Sequence, residues 1–424
     1  MNDLDALLAT HEVDGRIWPS YGQWGVANVP ATIASMLGTD TTRALPIVSA
    51  FDTDTIDHVV LVVIDGLGLH RFDSLRTELD SLDRLASASE SRPLSSTYPS
   101  ETAAAMITLY TGLQPIEHGL IGWYTRFEQP TTIAHSLPFL TLDGNPLTEA
   151  TGHEANELFD PNRRETIPER LVNAGVEVFI HNPNHIVTSH ASRLAAGPAS
   201  LSGYDTIEGA FETVVDRIEM ASGQSYQLVY YPDADSEGHH EGTHSKVFTD
   251  AVDRVSTAMT DRFIDVLDPS IAERTAVLVV ADHGQINTDP ATNVDLRHLE
   301  ASRGIPLQDN LERTEDGEPI YLAGGPRNVQ LHLKSDSVET LASSFEEHIE
   351  CRTLDADSII TNQLFGDRPA GPLFEPRVPD LLVIPDTKGV WYPDHELEHI
   401  GMHGGLHPDE MLVRLLYATA HDLK

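Results

Sequence analysis

The feature that most constrains this chain is a set of short apolar runs, each ending at a polar or turn residue. Residues 58–64, 176–180, 227–231, 276–281 and 380–384 are apolar and rich in β-branched side chains. Runs this short, bounded by turn residues, predict buried strands of a parallel sheet. Helical patterns at 214–221 and 248–267 lie between them. Strands alternating with helices predict an α/β fold, with a mostly parallel central sheet flanked by helices on both faces. In open sheets of this kind, ligands bind beyond the carboxyl ends of the strands. There the first run passes into Asp65-Gly66-Leu67-Gly68, the third into Pro232-Asp233-Ala234-Asp235 and the fourth into Asp282-His283-Gly284. Carboxylates and imidazoles therefore gather along one edge of the sheet.

A chain of 424 residues is long enough for one large α/β domain with an insertion. Residues 1–50 read as a lead-in packed on the core. The catalytic core is expected over 51–290 and 376–424. The polar, turn-rich stretch 291–375 is expected to be an inserted or capping region. No repeat or low-complexity segment interrupts this plan. Cys351 is the single cysteine, which excludes a disulfide framework and a cysteine metal site. No apolar run is long enough to cross a bilayer, and the acidic start Met1-Asn2-Asp3-Leu4-Asp5 lacks the pattern of a secretory signal. A cytoplasmic location is expected.

Acidic residues number 66 against 27 basic ones, for a net charge of −39, and the lysines are Lys246, Lys334, Lys388 and Lys424. The acids are dispersed, which maintains solubility and repels polyanions. Binding of a nucleic-acid duplex through a basic surface is thereby excluded. The composition resembles that of proteins adapted to high salt, as in haloarchaea. At about 1 M salt the screening length is only ~3 Å, which removes most of the self-repulsion.

Three further segments carry chemistry. In Tyr98-Pro99-Ser100-Glu101-Thr102-Ala103-Ala104-Ala105-Met106, Ser100 is a good N-cap for an alanine-rich helix. Thr102 would then lie in the first turn, beside unpaired N–H groups and the positive end of the helix dipole. Asp235-Ser236-Glu237-Gly238-His239 directly follows a strand, and its spacing lets both end residues reach one cation. Gly401-Met402-His403-Gly404-Gly405 sets a histidine among glycines that permit close backbone approach.

The order Asp65, Thr102, Asp235, His239, Asp282-His283, His403 resembles the nucleotide pyrophosphatase/phosphodiesterase branch of the alkaline phosphatase superfamily. The stretch from Tyr98 through Tyr110-Thr111-Gly112 to Glu117-His118-Gly119 is similar to that family's nucleophile helix and following turn. The resemblance spans about residues 55–415 and implies an alkaline-phosphatase-like core with two divalent metal sites. Asp65, Thr102, Asp282 and His283 would hold one ion, and Asp235, His239 and His403 the other. Mixed N/O ligation suits Zn²⁺ and is compatible with Mn²⁺. The resemblance further implies that Thr102 is the nucleophile, giving a phospho-threonine intermediate in cleavage of phosphodiester or pyrophosphate bonds. The partner would be a small phosphorylated or nucleotide-like molecule.

One departure stands out. Where better-known members place an asparagine beyond the His-Gly turn, this chain has Trp123, which could pack or form a stacking wall for a flat group. His118 is expected to shape the turn and not to bind metal. Phosphonoacetate hydrolase-like and phosphomonoesterase chemistries fit the same scaffold. A zinc metalloprotease is a rival of another class, because His-Glu-x-x-His occurs at His240–His244 and again at His395–His399. Gly242 weakens the first as a helix, and the second is confined between Pro393 and Gly401. A metal-binding protein without catalysis is the remaining alternative.

Overall fold

The computed structural model describes all residues except 1, 40–41, 129–130, 160–163, 315–316, 318, 335 and 393–394. Pro393, used above to bound a short helix, therefore lies outside the described residues. The seven-stranded central sheet consists of β1 (His58–Ile64), β2 (Glu90–Ser95), β3 (Glu177–Pro183), β4 (Ser200–Tyr204), β5 (Ser225–Tyr231), β6 (Thr275–Val280) and β7 (Leu412–Thr419). Their spatial order is β2-β7-β6-β1-β5-β3-β4. Pairing is parallel from β6 through β1, β5 and β3 to β4, and antiparallel where β7 meets β6 and β2. Leu61 at the centre of β1 aligns with Leu228 on β5 and Leu278 on β6. All three are fully buried, as expected for strands covered on both faces. Helices such as Ile207–Met220 and Lys246–Met259 supply the cover, the latter continuing into a π-helical turn at Thr260–Ile264.

A second seven-stranded sheet stands beside the first. It runs Cys351–Asp355, Leu381–Pro385, Asn328–Leu331, Ala323–Gly325, Tyr124–Glu128, Thr131–His135, Leu140–Thr141. The apolar run at 380–384, expected in the parallel sheet, lies here instead. It pairs antiparallel with both neighbours. Leu381 and Val383 pack into one core, while Leu382 and Ile384 pack into another. A strand buried on both faces reads the same from sequence whichever sheet takes it. No helix among the described residues is long and apolar enough to cross a membrane.

Candidate active site

Three turns leave the carboxyl edge of the central sheet side by side. Strand β1 ends at Asp65, whose N–H donates to Tyr231 O at the end of β5, 3.0 Å away. Gly66 then turns with φ +75°, and a Cβ there would approach Asp235 atoms at 3.0 Å. Glycine is needed for both the turn and the close approach. Beyond β5 the helix α2 (Asp233–Glu241) carries Asp235 and His239 on one face, four residues apart. Beyond β6 come Asp282 and His283. His403 arrives from the loop between the second sheet and β7, after the short strand Gly401–Met402.

These side chains form two clusters. Asp65, Asp282 and His283 place one ligand atom each within 4.8 Å of the others, and Asp235, His239 and His403 do the same. The rings of His283 and His403 stack with centroids 4.0 Å apart, which joins the clusters. In the first, His283 Nε2 lies 3.4 Å from both Asp65 Oδ1 and Asp282 Oδ2. Both oxygens are buried without a hydrogen-bond partner among the described residues. In the second, His239 Nδ1–H donates to Gly401 O at 2.8 Å and His403 Nδ1–H to Ser100 O at 3.1 Å. With the rings neutral, as metal ligands must be, those bonds fix the tautomers so that both Nε2 lone pairs face each other at 3.2 Å. Two acceptors and two orphaned carboxylate oxygens turned inward make a donor set that fits divalent cations.

The electrostatics match. Burial, with the charges of Asp282 and Asp235, pushes the Asp65 carboxyl well above the usual range. Burial also raises Asp282. Burial opposes ionisation of Asp235 too, but the charges of His239, His403 and His283 hold it below the usual range. Tyr230 donates its hydroxyl hydrogen to Asp65 Oδ2 at 2.5 Å. Gln285 donates its amide to the Asp235 carboxylate and to Asp235 O.

Thr102 opens the helix α1 (Thr102–Thr111), and its Oγ1 lies 3.1 Å from His283 Nε2. Ser100, expected as N-cap, is not one. Glu101 holds that position without a side-chain cap bond. Ser100 Oγ donates to Gly405 O and accepts from Gly404 N–H, tying the helix start to the His403 loop. No capping side chain therefore covers the first-turn N–H groups beside Thr102, leaving an anion site.

A cavity of about 560 Å³ contains Thr102, Asp65, Asp235, His239 and His403. Trp123 lines it half-buried, its ring edge-on to His135 at 6.2 Å. The Trp123 N–H donates to Glu101 Oε2 at 2.7 Å. Glu101, which the sequence reading passed over, lines the same cavity, and burial pushes its carboxyl up to about 8. Its position next to Thr102 was a signal, but its burial depends on the distant Gly325 and Gly404 backbones packed against it. Tyr230 and Gln285 were likewise missed. His118 stays outside both clusters, where Nδ1 accepts from Leu120 N–H at 3.1 Å. Neither protease motif forms the helix it needs. The first is cut when α2 ends at Glu241 before Gly242, with φ +82°. The second is a four-residue 3₁₀ turn, His395–Glu398.

The family model described as type I phosphodiesterase / nucleotide pyrophosphatase matches residues 59–406. The chain belongs to this family. It is a phosphodiesterase/nucleotide pyrophosphatase-type hydrolase on the alkaline phosphatase scaffold. Members of the family use two divalent metal ions. No curated protein matches the chain in sequence. Among solved structures, murine ectonucleotide pyrophosphatase / phosphodiesterase 5 superposes with a TM-score of 0.60 at 13% identity, covering 84% of this chain and 87% of that one. An inactive threonine-to-alanine form of that murine protein is in complex with AMP. Phosphonoacetate hydrolase from Sinorhizobium meliloti, in complex with phosphonoacetate, superposes with a TM-score of 0.58 at 13% identity, covering 84% and 89%. At such identities the likeness is one of fold.

Proposed function

We propose that this family member cleaves phosphodiester or pyrophosphate bonds by attack of Thr102 Oγ1 on phosphorus. The observation that carries the reading is the Thr102 hydroxyl at an uncapped helix start, 3.1 Å from one of two inward-facing ligand clusters. Asp65, Asp282, His283 and Thr102 would hold one divalent ion, and Asp235, His239 and His403 the other, with Zn²⁺ or Mn²⁺ compatible with the donors. Bound there, the ions would supply positive charge that neutralises the buried carboxylates and lowers the pKa of a nearby hydroxyl.

The residues of the chain do the rest. The first-turn N–H groups of α1 orient a phosphoryl oxygen at the helix start. Thr102 loses its proton and its oxygen bonds to phosphorus, while the bond to the leaving alcohol oxygen breaks in line. The alcohol leaves with a proton. Water then attacks the same phosphorus, the Thr102 O–P bond breaks, and a phosphomonoester is released with the hydroxyl restored. Tyr230 and Gln285 orient Asp65 and Asp235 through their hydrogen bonds. Trp123 offers an aromatic wall for a flat group of the substrate.

The test is turnover of bis(p-nitrophenyl) phosphate and p-nitrophenyl phosphate in high salt with added Zn²⁺ or Mn²⁺. Diester turnover is expected to exceed monoester turnover and to vanish with chelator. Thr102→Ala should lower it by about 10⁴-fold or more, or about 5.5 kcal/mol of barrier. Turnover that survives in Thr102→Ala removes the covalent mechanism.

A further inference from the structure

Besides the two clusters, the cavity has a broad apolar wall. Met106, Ile107, Leu137, Ile186 and Ala191 give it apolar faces, and Trp123 closes the side of the second sheet. Of the other titratable groups lining it, Asp233 and Glu396 are acids, Glu101 is an acid whose carboxyl is pushed up to about 8 by burial, and His185, His395 and His399 are imidazoles. Among the described residues, no lysine or arginine lines it, although the chain has 27. Arg254 approaches a lining residue, yet it is turned to Asp233 at 3.7 Å. With ions held by the two clusters, positive charge in this cavity would be concentrated where one phosphoryl group would sit, at those clusters and the start of α1.

This distribution has a consequence for the rest of the substrate. An apolar arm entering the cavity gains about 25 cal/mol for each Å² it removes from water. An arm with a second anionic group meets Asp233 and Glu396 and, among the described residues, no lysine or arginine to pair it, and an unpaired buried charge is strongly disfavoured. We infer that the cavity seats an uncharged, apolar-faced alcohol arm of a phosphodiester and rejects a second anionic group on that arm. The inference rests on the hydrolase reading above and narrows its substrate class. It sets phosphonoacetate, whose arm ends in a carboxylate, among the poor substrates despite the shared fold.

Two measurements on the Zn²⁺-loaded protein test it. The first compares kcat/KM for bis(p-nitrophenyl) phosphate, phosphonoacetate and p-nitrophenylphosphorylcholine in wild type and His185→Lys. His185 is an exposed lining residue, so a lysine there adds a cation without disturbing the core. The diester is expected to exceed phosphonoacetate by at least about 100-fold, a gap that His185→Lys narrows by about tenfold. Phosphonoacetate turned over as well as the diester overturns the inference. So does a tenfold preference for the choline ester, which would make the arm cationic.

The second measurement does not need turnover. Calorimetric titration of Thr102→Ala with AMP and with adenosine 3′,5′-bisphosphate compares one uncharged arm with the same arm bearing an extra phosphoryl group. AMP is expected to bind at least about tenfold more tightly. Equal or tighter binding of the bisphosphate, or no binding of either, overturns the inference. Loss of Thr102 dependence in turnover would defeat the hydrolase mechanism and leave the titration to judge the cavity separately.

Discussion

At the carboxyl edge of the central sheet, Asp65 Oδ1 and Asp282 Oδ2 are buried with no hydrogen-bond partner among the described residues. At the seam with the second sheet, Arg327 and Glu410 are as deeply buried and pair with each other. Arg327 Nη2 donates to Glu410 Oε2 at 2.8 Å and Nε to Oε1 at 3.1 Å. Two of its other N–H groups donate to Lys388 O from Nη1 and to Asp386 O from Nη2. Glu410 also accepts the N–H groups of Gly405 and His407. A buried ion pair hydrogen-bonded in both directions and tied to the surrounding backbone is a structural joint. Here it holds the loop that delivers His403. A buried acid cluster with oxygens left over is electrostatically incomplete, and a cation completes it.

Substitution should separate the two regions. Glu410→Gln leaves the Arg327 charge buried and unmatched, so it is expected to cost about 3–5 kcal/mol of stability in urea unfolding. Asp65→Asn in the metal-free protein relieves repulsion between facing acids. It is expected to be neutral within about 1 kcal/mol, or stabilising. A loss at Asp65 as large as at Glu410 would break the comparison and make the acid cluster part of the structural framework.

Metal sharpens the same contrast by a smaller amount. Zn²⁺ or Mn²⁺ at about a hundred times its dissociation constant should raise unfolding stability by about 2.7 kcal/mol per site. Asp65→Asn should lose the share of the first cluster, and Glu410→Gln should keep a gain from both. Ion content of the dialysed protein, measured by elemental analysis, is expected to be two per chain for wild type. One ion per chain would mean that the ring stack of His283 on His403 unites the clusters into a single site.

The central edge was legible because its chemistry is local. Asp65 and Asp282-His283 directly follow apolar runs and Asp235 comes four residues after another, and a strand end fixes where the next side chains lie. His239 follows Asp235 by helical spacing. The second sheet was not legible, because its strands come from 124–141, 323–331, 351–355 and 381–385 and pair across those gaps. Short runs carry no record of distant partners, which is why 380–384 was assigned to the wrong sheet. Ser100 failed as an N-cap for a related reason. Its hydroxyl found partners 304 and 305 residues away, at Gly404 and Gly405, in place of the helix beside it. The burial of Glu101 is illegible for want of the same long-range information, since Gly325 and Gly404 pack against it.

The second sheet also buries a titratable group in a third way, without charge. His332 follows the strand Asn328–Leu331, is 1% exposed, and has Nε2 without a hydrogen-bond partner among the described residues. Burial, and then the nearby Arg126 charge, push its imidazole down to about 3. Its folded pKa is thus below the unfolded value near 6.5, so the unfolded chain binds the proton first as pH falls. Stability from the neutral ring is complete above about pH 6.5 and drains as pH falls toward 3. Between pH 7.5 and 5.5 this histidine should account for about 1.4 kcal/mol of lost stability. Urea unfolding of wild type and His332→Gln at both pH values measures that difference, with the variant showing the shallower loss. If the two slopes coincide, His332 carries its proton in the folded state. The second sheet would then tolerate an uncompensated charge much as the central edge does, and the contrast between the two regions would rest on Arg327 and Glu410 alone.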